Sequence, residues 1–591
     1  MSACGGSALG GKKYYLSLLF ISSFLIIAPA FAADYYVDGD NGDDVIGDGS
    51  QEAPYQTITK AVAVMAGGDT VYCRGTIIDG DISLTNAIAG TASGYTTFTS
   101  LPGYTAIIDA SSGPYNSVFT INNGADYLRI EDLKLTGASL YAIYGSVGGT
   151  SQYVEILNNE IYNILPSAFS SYLLLGNINY LTISGNEIYG DGDDYYGLYI
   201  ASLDSAVIEK NKLHDFTRWA IATEGTVSNT KIKNNFIYNI TGDAAYPTNG
   251  AIVITEGNNY EIDNNTIYNA NSPALSVYGI VVVPSGGAIN NISVHNNIFH
   301  TTNIAMAVHD DARVGFSSDY NDFYNVVTIG IWDNVNRTTL EEWQTASNSD
   351  KHSITTDSLF SSTTSGSEDL HLQDSSPCID AGQNISEITE DFDSETRPYN
   401  ITDIGADERP LLSAVPIITA IDNDADSVSM SVSYDTDIIG YNVMLDANSS
   451  FYSSSPIEIS DLDPAQTYDY SVQAVYETDY DAYYSSYSSI ANFTTYPSKV
   501  LNVKMPMKKI KKTRATIKWD KQPRINGYII RLLNYRGKHL KTININKNKA
   551  KKIITNLKSL KNYSLKIRAR KKVNNTYLLG EWSSVKEFTT R

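Results

Sequence analysis

Residues 153–163 read YVEILNNEIYN, and the same phrase returns along the chain. The copies are YLTISGNEIYG (180–190), SAVIEKNKLHD (205–215), NTKIKNNFIYN (229–239), NYEIDNNTIYN (259–269), NISVHNNIFHT (291–301) and a degraded FSSDYNDFYNV (316–326). Their aligned asparagines are Asn159, Asn186, Asn211, Asn235, Asn265, Asn297 and Asn321, in steps of 27, 25, 24, 30, 32 and 24 residues. A unit that short cannot bury its own apolar face, so it must stack on copies of itself. Alternation of apolar and polar residues with many β-branched side chains predicts strands. Ile156, Ile183, Ile208, Ile232, Ile262 and Val294 should form one inward column, and Ile161, Ile188, Leu213, Ile237, Ile267 and Phe299 a second. Between them the asparagine is expected to take the left-handed turn, its amide bonding up the stack. A parallel β-solenoid follows, with coils about 4.8 Å apart. The variable steps are expected to reflect loops on one edge, just after the asparagine turn.

This pattern resembles the right-handed parallel β-helix proteins of the pectate-lyase-like superfamily, over residues 34 to 408. The resemblance implies a fold more than an activity, because that superfamily includes lyases, hydrolases, epimerases, adhesins and inert spikes.

Outside the repeats, residues 1–32 read as a secretion signal. Lys12 and Lys13 precede an apolar run, and Ala30-Phe31-Ala32 offers small residues for cleavage. A membrane anchor is the competing reading, but the apolar run is short for a span. A secreted or cell-surface protein, acting as a monomer, is expected. Cys73 and Cys378 are read as buried thiols rather than a disulfide. Thr57 to Met65 should form a short capping helix with Ile58, Ala61, Val62 and Met65 inward. The acidic loop holding Asp38, Asp40, Asp43, Asp44 and Asp48 reads as solvated; Asp43 stands where an EF-type loop needs Gly. YLRIEDLKLTG (127–137) has Leu133 in place of the asparagine, so the ladder should begin one coil later.

Residues 359–409 contain SPCIDAG, DFDSETRP and DIGADE. They are similar to the choice-of-anchor Q domain, which implies a closing cap with Arg397 paired to a buried Asp. Residues 498–591 resemble a fibronectin type III domain, with Trp519 in the core and Tyr563 at the corner before a strand. Residues 410–497 resemble a weaker copy with Tyr434 in the tryptophan's place. The chain is therefore all-β: a solenoid over 33–358, its cap, and two β-sandwiches.

Charge is distributed unevenly. The formal net charge is −22, yet 498–591 holds 27 Lys and Arg against Asp520, Glu581 and Glu587, a net of +24 that leaves −46 for the rest. Residues 411–497 contain no Lys or Arg. Lys508, Lys509, Lys511, Lys512, Lys551, Lys552, Arg568, Arg570, Lys571 and Lys572 should attract an extracellular polyanion, in a salt-dependent way.

For chemistry on the solenoid, a lyase acting on uronic acids needs a group to neutralise the substrate carboxylate and a base for the C5 proton. Arg218 is the first candidate, with His214 and Tyr246 beside it. Asp193, Asp194, Asp215 and Asp243 are the candidate Ca2+ ligands. The motif sets of polygalacturonases, pectate lyases and mannuronan epimerases are not assembled. Three readings follow: binding of an acidic polysaccharide, Ca2+-dependent β-elimination, or a non-catalytic adhesin.

Overall fold

The computed structural model describes residues 32–145, 149–164, 171–191, 196–287, 289–398, 401–409, 415–434, 438–446, 448–477 and 482–591. The secretion signal, apart from Ala32, and Asp193 and Asp194 lie outside these. Two compact units divide the chain at Asp357/Ser358.

The first unit is a right-handed parallel β-helix of three sheets. Sheet A takes strands such as Ser151–Leu157, Ile178–Ser184 and Asp204–Glu209. Sheet B takes Glu160–Tyr162, Glu187–Tyr189 and Lys212–Phe216. Sheet C has eleven strands among the described residues, including Tyr196–Ala201, Trp219–Glu224 and Gly250–Ile254. The register aligns the two expected columns: Ile156 pairs with Ile183, Ile183 with Ile208, Ile161 with Ile188, and Ile188 with Leu213. All of these side chains are fully buried, each adding about 1.5–3 kcal/mol of apolar transfer.

The asparagine ladder is continuous. Each amide Oδ1 accepts from both the backbone N–H and the Nδ2 of the asparagine one coil earlier, from Asn159–Asn186 at 2.9 and 3.0 Å to Asn297–Asn321 at 2.8 and 3.2 Å. At one end Asn159 accepts from the backbone of Leu133, so the ladder does begin a coil after it. At the other end Asn321 donates to the buried Asp350 at 2.8 Å. The left-handed residue, however, is the one before each ladder asparagine: Asn158, Gly185, Lys210, Asn234, Asn264, Asn296 and Tyr320 have φ between 53° and 69°. The ladder asparagine must keep its amide inward, so the corner falls on its neighbour, which is exposed at Asn158 and Gly185 but buried at Asn234, Asn264 and Asn296.

Loop variation occurs on two edges, not one. Long connections lie between sheets B and C (241–249, 271–277) and between sheets C and A (283–289). A strand of sheet B separates the first set from the asparagine turn, because the turn only joins sheets A and B.

The entry helix is Ile58–Val62, capped by Thr57, with Ile58, Ala61 and Met65 buried. The acidic loop is held by its own carboxylates: Asp38 pairs with Arg74 at 2.8 Å, Asp43 accepts from Val45, and Asp44 from Gln56. In the first unit the helix Leu340–Ser347 covers the last coil. Its Trp343 is fully buried and donates from Nε1 to Asp350 at 2.7 Å. Cys73 and Cys378 are buried thiols, not joined in a disulfide. No helix among the described residues is long and apolar enough to cross a membrane.

In the second unit, residues 415–494 form a three-stranded sheet (Ile417–Asn423, Val428–Ser433, Ile457–Ile459) and a five-stranded one centred on Gly440–Leu445 and Thr467–Glu477. Residues 515–589 repeat the plan around Gly527–Asn534 and Asn562–Val573. Tyr563 accepts from the Lys558 N–H at 2.9 Å, and Tyr468 accepts from Asp463 at 2.7 Å, the same five-residue corner in each module. Trp519 is buried and Tyr434 packs against the acidic module's core.

Candidate functional site

Sheet C presents an unusual outer face. Period-2 alternation puts Leu198, Ile200, Ile221 and Ile252 in the core and points the intervening residues outward. Those outward residues are nevertheless apolar: Leu174 pairs with Tyr199, Tyr199 with Ala222, Ala222 with Val253 and Val253 with Val281. Ala222, Val253, Val281 and Ala307 form their own cluster, joined by Tyr199, Trp219 and Tyr278. An apolar face of this kind needs cover from water, and here a loop folds over it. Trp219 Nε1 donates to the Thr248 carbonyl at 2.9 Å, drawing the 241–249 loop down onto the sheet.

At one end of this face is a cavity of about 470 Å³, bounded by Tyr141, Tyr196, Tyr199, Arg218, Trp219 and Glu224. Tyr196 and Trp219 are register partners on adjacent strands, with ring centroids 4.9 Å apart. Arg218 precedes the Trp219 strand, and its guanidinium carbon lies 3.4 Å from the Tyr246 ring, 3.8 Å from Trp219 and 4.8 Å from Tyr196. Its Nη1 donates to the Tyr196 hydroxyl. Burial lowers the Arg218 pKa, and the Tyr246 contact and the charge of Asp243 oppose that shift. The cation is thus held among three rings, an arrangement that strengthens with desolvation. Its buried Nε has no hydrogen-bond partner among the described residues. Glu224 is exposed at the rim. A larger hollow of about 770 Å³ near Tyr72 and Arg129 is more polar, but Arg129 and Lys134 there already pair with Glu155 and Glu160.

The sequence candidates separate into two groups. Arg218 and Tyr246 are in contact, and Asp243 influences Arg218 electrostatically. His214 and Asp215 belong elsewhere. His214 lies on sheet B, stacked between Tyr189 and Tyr238 at 5.1 and 4.6 Å, with Nδ1 2.7 Å from Asp215 and Nε2 3.4 Å from Glu187. Asp215 adopts a left-handed corner (φ 62°) and accepts from Asn239, which accepts in turn from Asn269: a second, outer ladder. Asp243 turns its Oδ1 to the Ala245 N–H. The carboxylates of Asp215 and Asp243 are therefore engaged in separate networks, and among the described residues they do not converge as a metal site. Their proximity in sequence had suggested one loop cluster; in fact Phe216, buried in the core, separates the two sides of the chain.

Sequence reasoning missed Trp219, Tyr196, Tyr199 and Glu224. Tyr199 and Glu224 stand at outward positions by period-2 alternation, whereas Tyr196 and Trp219, two residues before the inward Leu198 and Ile221, share the inward parity, so alternation gave no signal for them.

The basic module divides as well. Lys551 and Lys552 lie on the two-stranded sheet, whereas Arg568, Arg570, Lys571 and Lys572 lie on the five-stranded one. Lys508 and Lys509 end a short turn, and Lys511 and Lys512 follow it, all exposed. Unanticipated is Trp582, over which Arg568, Lys566 and Arg531 stand at 4.4, 4.9 and 5.0 Å.

Residues 116–245 and 171–344 match the family described as the right handed beta helix region. No curated protein matches the chain. Among solved structures it is similar to a two fibronectin type-III domain segment from chicken tenascin, 14% identical over 30% of this chain and 99% of that one, with a TM-score of 0.23. It is also similar to the FN1-FN3 domains of chicken CNTN1, 14% identical over 31% of this chain and 67% of that one, with a TM-score of 0.18. The strand order and the paired tyrosine corners, rather than these likenesses, identify the two C-terminal modules as fibronectin type III-like. The family match and the three-sheet coil together make residues 116–344 similar to right-handed β-helix proteins.

Proposed function

We propose that this is a secreted protein that binds an extracellular acidic polysaccharide in the aromatic cleft on sheet C. The observation that carries this reading is Arg218 caged by Tyr196, Trp219 and Tyr246 at the edge of an apolar sheet face. Flat rings offer stacking surfaces for the apolar faces of pyranose sugars. A fixed guanidinium supplies the partner for a uronate carboxylate. Glu224 is the one carboxylate on the cavity wall among the described residues, so the two carboxylates about 5–9.5 Å apart that hydrolysis requires have no second member there.

The test uses the full chain in affinity electrophoresis against acidic and neutral polysaccharides. Retardation by an acidic polymer, weakened about tenfold or more in Trp219→Ala and Arg218→Ala with unchanged circular dichroism, supports the reading. Equal retardation of both variants rejects it. Ultraviolet absorbance of unsaturated uronate, with and without EDTA, runs on the same samples; an increase that Arg218→Ala abolishes would make the cleft a lyase site.

A second reading concerns the basic module. Arg531 and Lys566 are cross-strand partners, and Arg568 stands beside them over Trp582. Like charges placed opposite each other destabilise a sheet, and an anion lying across them relieves that repulsion. This face supports attachment to a cell-surface polyanion.

A further inference from the structure

The segment 358–409 contains a cluster that neither the cleft nor the basic module uses. It starts with the antiparallel hairpin Phe360–Thr364 and Ser367–Leu372. The loops DFDSETRP and DIGADER then fold against each other. Arg397 meets Glu408 at 3.0 Å, both wholly buried, donates to the Gly405 carbonyl, and its charge also acts on the buried Asp391 and Asp403. Asp391 fixes the turn by accepting from Asp393 and Glu395 with Oδ1 and from Glu408 with Oδ2. These bonds bring Asp393, Asp407 and the hairpin's His371 together.

The geometry of the three is specific. One ligand-capable atom each from His371, Asp393 and Asp407 lies within 4.8 Å of the others, the sole such group among the described residues. His371 Nε2 is 2.7 Å from Asp393 Oδ2, and its Nδ1 is bonded to Asp369. Asp407 is 1% exposed. Its Oδ2 accepts from the Leu372 N–H at 2.6 Å, but its Oδ1 is buried and has no hydrogen-bond partner among the described residues. An unsatisfied carboxylate oxygen in a protein interior is costly. Beside an imidazole and a second carboxylate, the Asp407 carboxylate forms the third corner of a coordination triangle.

We propose that His371, Asp393 and Asp407 bind one divalent transition-metal ion of the Zn2+ class. Imidazole nitrogen favours such ions over Ca2+ or Mg2+, which take oxygen ligands. Asp369 supplies the carboxylate that fixes the tautomer and orientation of a metal-binding histidine. Metal–ligand distances of about 2.0–2.2 Å set tetrahedral ligands roughly 3.4 Å apart, so His371 Nε2 and Asp393 Oδ2 would open from 2.7 Å and the Asp407 oxygen would close from within 4.8 Å, shifts within reach of side-chain adjustment. The ion would join the hairpin to both loops, in the way structural metals stabilise small, loop-rich segments.

The test takes the full chain, stripped with EDTA and dialysed metal-free, and titrates it with Co2+ and then Zn2+. One equivalent of Co2+ should bind with visible absorption bands, be displaced by Zn2+, and resist excess Ca2+. His371→Ala and Asp407→Asn should each weaken binding at least tenfold, while His352→Ala should not. Hydrogen exchange of the wild type supplies a readout independent of variant folding: Zn2+ should slow exchange in 360–372 and 391–409. Absence of stoichiometric binding, unchanged binding in folded Asp407→Asn, or protection only elsewhere would each overturn the proposal and leave His371 as an ion-pair partner of Asp369 and Asp393.

Discussion

Replacing Asn235 by Leu would remove one rung from the middle of the asparagine ladder. Asn235 is fully buried. Its Nδ2 donates to the Ile208 carbonyl at 2.9 Å, the Lys233 carbonyl at 3.0 Å and Asn265 Oδ1 at 2.9 Å. Its Oδ1 accepts from the Asn211 N–H and from Asn211 Nδ2, both at 3.0 Å. Leucine occupies the equivalent position natively at Leu133, so the volume is tolerable. The loss is polar: the Asn211 N–H and the Ile208 carbonyl are left without these bonds, and Asn211 Nδ2 and Asn265 Oδ1 each lose one of several. With about 1–3 kcal/mol for each orphaned buried group, the local stability should fall by about 4 kcal/mol. Asn159→Leu at the ladder's end should cost less by about 1 kcal/mol, because only the Leu133 N–H donates to its Oδ1. Native-state hydrogen exchange is the assay, read in the 205–240 coils for Asn235→Leu and in the coils around 128–162 for Asn159→Leu, since a solenoid opens locally and the chain holds several domains. If both variants lost less than about 0.5 kcal/mol, the asparagines would be turn formers only, and the argument from ladder bonding would fail.

Four further outcomes are expected. Trp343→Ala should destabilise the last coil by about 3–5 kcal/mol, read as faster exchange in 304–332, because it both opens a cavity and strips Asp350 of a donor. Tyr563→Phe and Tyr468→Phe should each lower their module's stability by about 1 kcal/mol in urea unfolding; a neutral result would show the corners to be incidental. For His214, burial lowers the pKa but the bonds to Asp215 and Glu187 raise it further, to a net rise above 6.5, while Glu187 is held down to about 2, chiefly by His214. The His214 contribution is therefore fully present below 6.5 and lost as pH rises through the folded pKa; that of Glu187 is present above 4.5 and lost as pH falls toward 2. The stability difference between wild type and His214→Gln should shrink from pH 6 to pH 9, and a constant difference would refute the pairing. Polyanion binding by the basic module should weaken steeply with salt, and Arg531→Ala with Lys566→Ala should flatten that slope.

The repeat phrase alone carried most of the fold. Period-2 alternation with an asparagine at a fixed offset allows only a stack in which Ile156, Ile183 and Ile208 share one column, because any other register would expose them. Trp519 and Tyr563 likewise carried the resemblance of the last module to a fibronectin type III domain. The candidate site was only half legible. Arg218 and Tyr246 were found by residue type, but His214 and Asp215, four and three residues before Arg218, were assigned to the same loop. Sequence distance does not report that Lys212–Phe216 ends on sheet B while Arg218 has already turned toward sheet C.

By itself, then, the sequence determined the inward half of this protein: which side chains form the columns, where the ladder begins, and where the modules change charge. Those features are local and periodic, and burial leaves them no alternative. The tertiary structure alone decided the outward half. Trp219 meets Tyr196 because their strands are register partners, Tyr246 reaches Arg218 through a folded loop, and His371, Asp393 and Asp407 converge from three segments. No periodicity encodes such meetings, since they depend on how loops of unequal length close over a surface that the core leaves free.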